Sequence, residues 1–245
     1  MVNFSYLKKI DLHIHTTFSD GACSIEQIMS LPVVKNLQII AITDHYCEFL
    51  FLTNRMTKHS LSKYLPILEN FNLLKGIEVD ILDDGLVAIS RASLFMFDVV
   101  IGGLHSVCGI NLWNDFTSIL NPSKYMETLR VALIKAMESK KLDIIAHITR
   151  LPETLHSEHS KLFTDDWIES VVKSASDNNV AIELSGAWKI PDERFITKCL
   201  NYGVKMSLGS DAHTCKMIGK TGYGVEMWKR LDICKDCLFL PKTTD

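Results

Sequence analysis

Six of the chain's nine histidines, His13, His15, His45, His105, His147 and His213, stand at the ends of short apolar runs, and Asp20, Glu78 and Asp211 share that setting. Imidazole nitrogens and carboxylate oxygens are the donor set of Zn²⁺, Mn²⁺ and Fe²⁺. The runs have the length of strands, and parallel α/β folds bind ligands beyond the carboxyl ends of their strands. Residues far apart in sequence are thus expected to converge on one pocket holding several cations. Asp11-Leu12-His13-Ile14-His15 alternates polar and apolar residues. On an extended backbone His13 and His15 share a face and can grip one cation. Ser19-Asp20-Gly21 reads as a turn able to aim Asp20 back over the strand end. A strand-edge histidine pair beside an ordinary Asp turn gives the same pattern. Thr43-Asp44-His45 repeats the arrangement, with Asp44 either supporting a ligand or capping a helix.

Positioning such a set requires parallel strands. Candidate strands are Lys9–His13, Gln38–Thr43, Leu73–Val79, Val99–Leu104, Asp143–Ala146, Val180–Leu184 and Lys205–Leu208. Several are apolar throughout, as strands covered on both faces are. Helix signals lie between them: Ser24 before a segment through Ser30, a helix over Ser60–Phe71, and Asn121-Pro122 before one to about Lys140. Thr164 with Asp165 and Asp166 opens one to Asn178, Pro191-Asp192-Glu193 one ending near Gly203, and periodicity over Val225–Leu231 suggests the last. This alternation predicts an open or distorted α/β barrel, with a doubly wound sheet as the alternative.

DLHIHTTFSDG and the ITDH that follows resemble the first two motifs of the PHP (polymerase and histidinol phosphatase) family. The resemblance continues through GIEV at Gly76–Val79, IGGLH at Ile101–His105, Ala146-His147, and GSDAH at Gly209–His213, in family order over nearly the whole chain. It implies a single domain over residues 1–245 with a distorted (β/α)7, TIM-like barrel, and hydrolysis of phosphate esters with two or three divalent ions, Zn, Mn or Fe. It assigns His13, His15, Glu78 and Asp211 to a first cation and Glu78, His105 and His147 to a second, with Glu78 bridging. Asp20, His45 and His213 would take a third. A water between two such ions becomes hydroxide near pH 7 and can attack phosphorus in line with the leaving alkoxide. The expected substrate is a small phosphate monoester. Histidinol phosphate specifically, a small exonuclease or nucleotide phosphatase, and a metal-binding domain without turnover are the alternatives.

Further expectations concern the pocket walls. Asp211 and His213 are candidates for proton transfer near the leaving group. Arg150, three residues past His147, has a guanidinium suited to phosphate, with a surface ion pair as the plain alternative. Lys189 is a weaker candidate of the same kind, and His156 lies on a substrate-facing loop over 148–161. Trp113 and Trp188 are placed in loops on the ligand side, able to stack on an aromatic substrate or simply to pack. Two positions depart from common family wording: Ile148 where proline often stands, and Glu183-Leu184-Ser185 where the sixth strand often ends in an amide. His156 and His159 lack a third ligand for a metal of their own. His59 reads as a solvated helix residue, and Cys234-x-x-Cys237 lacks a second pair. Cys108 is expected to be a small buried residue, and Phe95, Met96 and Phe97 to pack the core.

Composition narrows the classes. At 245 residues and 47% hydrophobic, the chain can bury one large core. A formal charge of −3 without a basic block argues against a nucleic-acid partner. The apolar stretch LFMFDVVIGGL contains Asp98 and falls short of a membrane span. Seven cysteines, and no signal-peptide pattern ahead of the ligand-rich segment, fit a reduced cytoplasmic protein better than a disulfide framework. Oligomeric state is open.

Overall fold

In the computed structural model, which describes residues 4–50, 52–113 and 115–241, parallel pairing runs through seven strands in chain order. They are β1 (Ile10–Asp11), β2 (Ile39–Ile42), β3 (Leu74–Ile81), β4 (Val99–Leu104), β5 (Ile144–Ile145), β6 (Ala181–Ser185) and β7 (Met206–Gly209). The registers fix the staircase: Ile10 lies opposite Ile39, Glu78 opposite Ile101, Ile101 opposite Ile144, and Met206 opposite Ile182. Leu12 N donates to Leu208 O at 2.9 Å and His15 N to Ala212 O at 2.9 Å, which joins the last strand to the first. A ring closed in sequence order is a distorted (β/α)7 barrel, and the doubly wound alternative falls away. A short strand, His45–Tyr46, adds to the top of β3, with His45 opposite Glu78.

Side chains of successive strand residues enter different cores, as the pleat dictates. Val99 and Ile101 join Leu7, Ile10, Ile144, Met206 and Trp228 in one cluster. Val100, Ile145 and Ile182 join Leu129, Leu133, Val171 and Val172 of the helices in the other. Burial on both faces explains the uninterrupted apolar runs.

The helices carry the caps read in the sequence. Ser24 makes a capping box with Gln27 at the start of Ile25–Ser30, and Asn121 accepts from Lys124 N ahead of Pro122–Glu138. Thr164 caps Asp165–Asn178, which ends at left-handed Asn179, and Asp192 caps Glu193–Asn201. The third helix, Lys58–Asn70, starts two residues before the expected Ser60, and the last, Gly222–Arg230, three before the expected Val225. His59 is exposed on the former, as expected. Among the described residues no helix is long and apolar enough to cross a membrane.

Three expectations are corrected. Phe95 is 92% exposed, while Met96 and Phe97 pack against the core. The three follow the one-turn helix Arg91–Leu94, with Phe95 at its C-cap. Cys108 is exposed, because Cys108 and Gly109 form the two-residue loop between Ser106–Val107 and Ile110–Asn111, both at positive φ. A disulfide joins Cys23 to Cys215 across 192 residues. Counting cysteines could not reveal it, since only barrel closure brings the loops after β1 and β7 together. The other five cysteines, Cys234 and Cys237 among them, are free.

Candidate metal centre

The strand ends deliver all nine expected donors, His13, His15, Asp20, His45, Glu78, His105, His147, Asp211 and His213, to one end of the barrel. Glu78, on β3, is fully buried at the centre. Its Oε2 lies 3.3 Å from His13 Nε2 and 3.5 Å from His15 Nε2, whereas its Oε1 lies 3.4 Å from His105 Nε2 and 3.1 Å from His147 Nε2. The two carboxylate oxygens thus face different histidine pairs. Donors about 2.1 Å from a tetrahedral cation stand roughly 3.4 Å from one another. Here His13 Nε2 and His15 Nε2 are 3.0 Å apart, and each is 3.3 to 3.6 Å from Glu78 Oε2 and Asp211 Oδ1.

Nearer the surface, Asp20 Oδ1 lies 3.3 Å from His213 Nε2, and Asp20 Oδ2 lies 3.5 Å from His45 Nε2. His15 Nδ1 approaches the same group, 3.8 Å from Asp20 Oδ1. His45 Nδ1 also stands 2.8 Å from Glu78 Oε2, so His45, Glu78 and His105 form one compact donor group. That differs from the expected Glu78, His105 and His147 trio, in which His147 Nε2 lies 3.1 Å from Glu78 Oε1 and its ring meets the His105 ring edge-on at 5.5 Å.

The donor chemistry fits divalent cations. His15 Nδ1, His45 Nδ1, His105 Nε2 and Glu78 Oε2 are buried without an aligned hydrogen bond, although His45 Nδ1 and Glu78 Oε2 stand 2.8 Å apart. Each such group costs about 1–3 kcal/mol when left unpaired, and shared cations would answer all four. His147 at φ 34° and Asp211 at φ 50° hold left-handed backbone that non-glycine residues avoid, a strain typical of functional positions.

A second layer of carboxylates orients the histidines. His13 Nδ1–H donates to Glu183 Oε1 at 2.6 Å, and His105 Nδ1–H donates to Asp80 Oδ1 at 2.7 Å. Both contacts turn Nε2 toward the cluster as a free lone pair. Glu183 Oε2 also accepts from His147 N at 3.0 Å, and Arg55 grips Asp80 through two nitrogens at 2.9 and 3.1 Å. Asp11 accepts from Ser210 N and Gly219 N, tying β1 to the loop that carries Asp211. Asp44 caps no helix. It accepts from Thr16 N and from Ser19 N and Oγ, folding the turn that presents Asp20.

Crowding explains two glycines of the motifs. A Cβ on Gly103 would strike Glu78 Oε1 and the His105 ring, and one on Gly209 would strike Glu183 Oε1 and His13 Cβ.

The protein groups alone set strong local fields. Burial pushes the Glu78 carboxyl up, but His45, His13 and His105 outweigh it and hold it well below the carboxylate range. Burial and the neighbouring His45 press His15 down to about 3, leaving a neutral imidazole. Burial pushes Asp11 up to about 6 against its backbone hydrogen bonds. Burial also opposes protonation of His105, which the carboxylates of Glu78 and Asp80 nevertheless raise to about 9. A cation would replace that proton.

The cluster opens into a cavity of about 760 Å³, walled by Asn111, Trp113, Trp188, Leu52 and Arg55. Arg55 is its one Lys or Arg among the described lining residues. None of the expected substrate contacts, Arg150, Lys189 and His156, lines this cavity. Lys189 is exposed and outside the cavity. Arg150 bonds Glu153 Oε1 at 3.0 Å and His156 Nε2 at 3.1 Å, and with His156 lines a separate cavity of about 190 Å³. Its plain alternative, an ion pair, is what the structure contains. Both oxygens of Asp211 are engaged, Oδ1 with the histidine pair and Oδ2 accepting from Trp188 Nε1 at 2.6 Å, which suits ligation rather than proton transfer.

Sequence reasoning passed over Asp11, Asp80, Arg55 and the bracing role of Glu183. Asp80 had a signal, since it lies two residues past Glu78 on the same strand face. Glu183 stood out only as part of a departure from family wording. Arg55 lies in a stretch without clear periodicity.

Comparisons with known proteins identify relatives of the chain and a solved structure of the same fold. DNA polymerase/3′-5′ exonuclease PolX of Bacillus subtilis (strain 168) is 33% identical over 89% of this chain, which spans 36% of that protein's length. A protein of Thermoanaerobacter sp. (strain X514) named as a probable phosphatase is 27% identical over 93% of this chain and 88% of its own. The crystal structure of histidinol phosphate phosphatase from Lactococcus lactis, complexed with zinc, L-histidinol and phosphate, superposes with TM-score 0.66 at 16% identity. It covers 91% of this chain and 93% of its own, and the likeness is one of fold. The PHP domain model matches residues 11–187, and the chain belongs to that family.

Proposed function

We propose that the protein is a metal-dependent phosphoesterase that hydrolyses a small phosphate monoester at this centre. The observation that carries the reading is Glu78: a buried carboxylate whose two oxygens face two histidine pairs, with buried nitrogens of His15, His45 and His105 close by that lack an aligned hydrogen bond. The reading assigns His13, His15, Glu78 and Asp211 to one cation, and Glu78, His105 and His147 to a second, with His45 close by. Asp20, His45 and His213 would hold a third. Bound cations would supply an acidified water and neutralise phosphate charge. The chain's own residues do the rest. Glu183 and Asp80 hold His13 and His105 in the ligating orientation, and Trp113 and Trp188 wall off bulk water on one side. Arg55 stands in the cavity wall with its charge met by Asp80. His213, 34% exposed at the rim, serves this reading as a ligand of the third cation, with its Nδ1 3.1 Å from Asp211 O.

Hydrolysis of p-nitrophenyl phosphate with added Mn²⁺ or Zn²⁺, lost in His15→Ala and Glu78→Ala, is the expected result. No turnover with any divalent metal would sink the proposal. A second reading, removal of 3′-terminal nucleotides, is supported by the 33% identity to the exonuclease-containing relative. The absence of a basic block in the sequence weighs against it. Parallel assays on histidinol phosphate, nucleoside monophosphates and single-stranded oligonucleotides divide these options.

A further inference from the structure

Trp188 lies outside every motif that marks the family, yet its indole Nε1–H donates to Asp211 Oδ2 at 2.6 Å. Asp211 follows β7 in left-handed backbone, at φ 50°. With Oδ2 held, Oδ1 is left 3.3 Å from His15 Nε2 and 3.6 Å from His13 Nε2. Trp188 is itself fixed from two sides. The Arg150 guanidinium carbon sits 4.4 Å from its ring centroid, and Trp113 meets it edge-on at 5.8 Å. Arg150 is anchored in turn by Glu153 and His156. A cation over an indole draws electron density from the ring and makes the N–H a stronger donor.

We propose that Trp188 is a positioning residue for the first cation, fixing the Asp211 carboxylate through its N–H, and that Arg150 acts through Trp188 rather than on the substrate. This rests on the reading of Asp211 as a ligand. It gives the β6–β7 side of the cavity a neutral N–H donor to a ligating carboxylate, where Glu183 and Asp80 support the histidines. Removing such outer support typically costs tenfold to a hundredfold in metal affinity.

The test is chelator-competition titration of the whole chain with Zn²⁺ and Mn²⁺, with bound metal counted by elemental analysis. Trp188→Phe keeps an aromatic ring for Arg150 to cover and removes the N–H together with the five-membered ring that carries it. The expected result is one equivalent bound ten- to a hundredfold more weakly, the other equivalents unchanged, and the metal-free melting temperature within about 2 °C of the unsubstituted protein. Trp188→Leu should weaken the same equivalent at least as much, and Arg150→Met by a smaller factor. Trp188→Phe binding every equivalent as tightly as the unsubstituted protein would overturn the proposal, with or without a loss in Trp188→Leu. So would a uniform weakening of all equivalents together with a lower metal-free melting temperature, which marks a general packing role. If the unsubstituted protein binds no cation, the reading of the site fails and this proposal with it.

Discussion

The inner and outer halves of the donor cluster are built differently. The inner half, His13, His15, Glu78 and Asp211, is at most 5% exposed and braced by Glu183, Asp11 and Trp188. The outer half leans on loops: the side chains of Asp20 and His213 are 27% and 34% exposed. Asp44 orders the Asp20 turn, and the Cys23–Cys215 disulfide ties the Asp20 and His213 loops together. Buried, pre-oriented donors should bind tightly, since their ordering is completed by folding, whereas the more exposed loop-borne donors are held in place by fewer packed neighbours and exchange with solvent more readily. The contrast predicts a cluster with retained inner cations and an exchangeable outer one.

The largest expected effect tests the join between the halves. Glu78→Ala should lower kcat/KM by about a thousandfold or more, because two cations lose a shared ligand worth several kcal/mol at the transition state. Steady-state kinetics with saturating Mn²⁺ checks this, and a loss below tenfold would contradict a bridging role. Next, Glu183→Gln should weaken inner binding tenfold to a hundredfold by removing the charge on the His13 Nδ1–H bond. Gly103→Ala, which drives a methyl group into Glu78 and His105, should produce a similar loss, read by metal content and activity together.

A smaller effect is expected outside. Asp20→Asn should release one equivalent during brief dialysis against a weak chelator while the inner equivalents stay, with kcat lowered roughly tenfold. Loss of every equivalent at once would erase the distinction between the halves. The smallest effect belongs to Lys189→Ala. An exposed side chain outside the cavity should change kcat/KM by no more than about twofold.

What the sequence disclosed follows the same division. Donors at strand ends were legible because strand length and apolar patterning repeat, and because His13 and His15 share a face by their spacing alone. The barrel was legible from the alternation of elements, and only hydrogen bonding between β7 and β1 decided against an open sheet. The supports were not legible. Glu183 braces His13 across 170 residues, and Arg55 reaches Asp80 across 25, contacts that arise only when strands and loops become neighbours. Arg150 follows the same rule. Its position three residues past His147 fixed its place on the ligand side, but Glu153 and Trp188 determine which way it turns.

Metal reconstitution followed by activity on the same sample tests the central claim most directly. The chelated protein should be inert toward p-nitrophenyl phosphate. Activity should rise with Mn²⁺ or Zn²⁺ as the inner equivalents fill, and Glu78→Ala should neither retain them nor regain turnover. Hydrolysis persisting in metal-free protein, or full activity in metal-loaded Glu78→Ala, would contradict it.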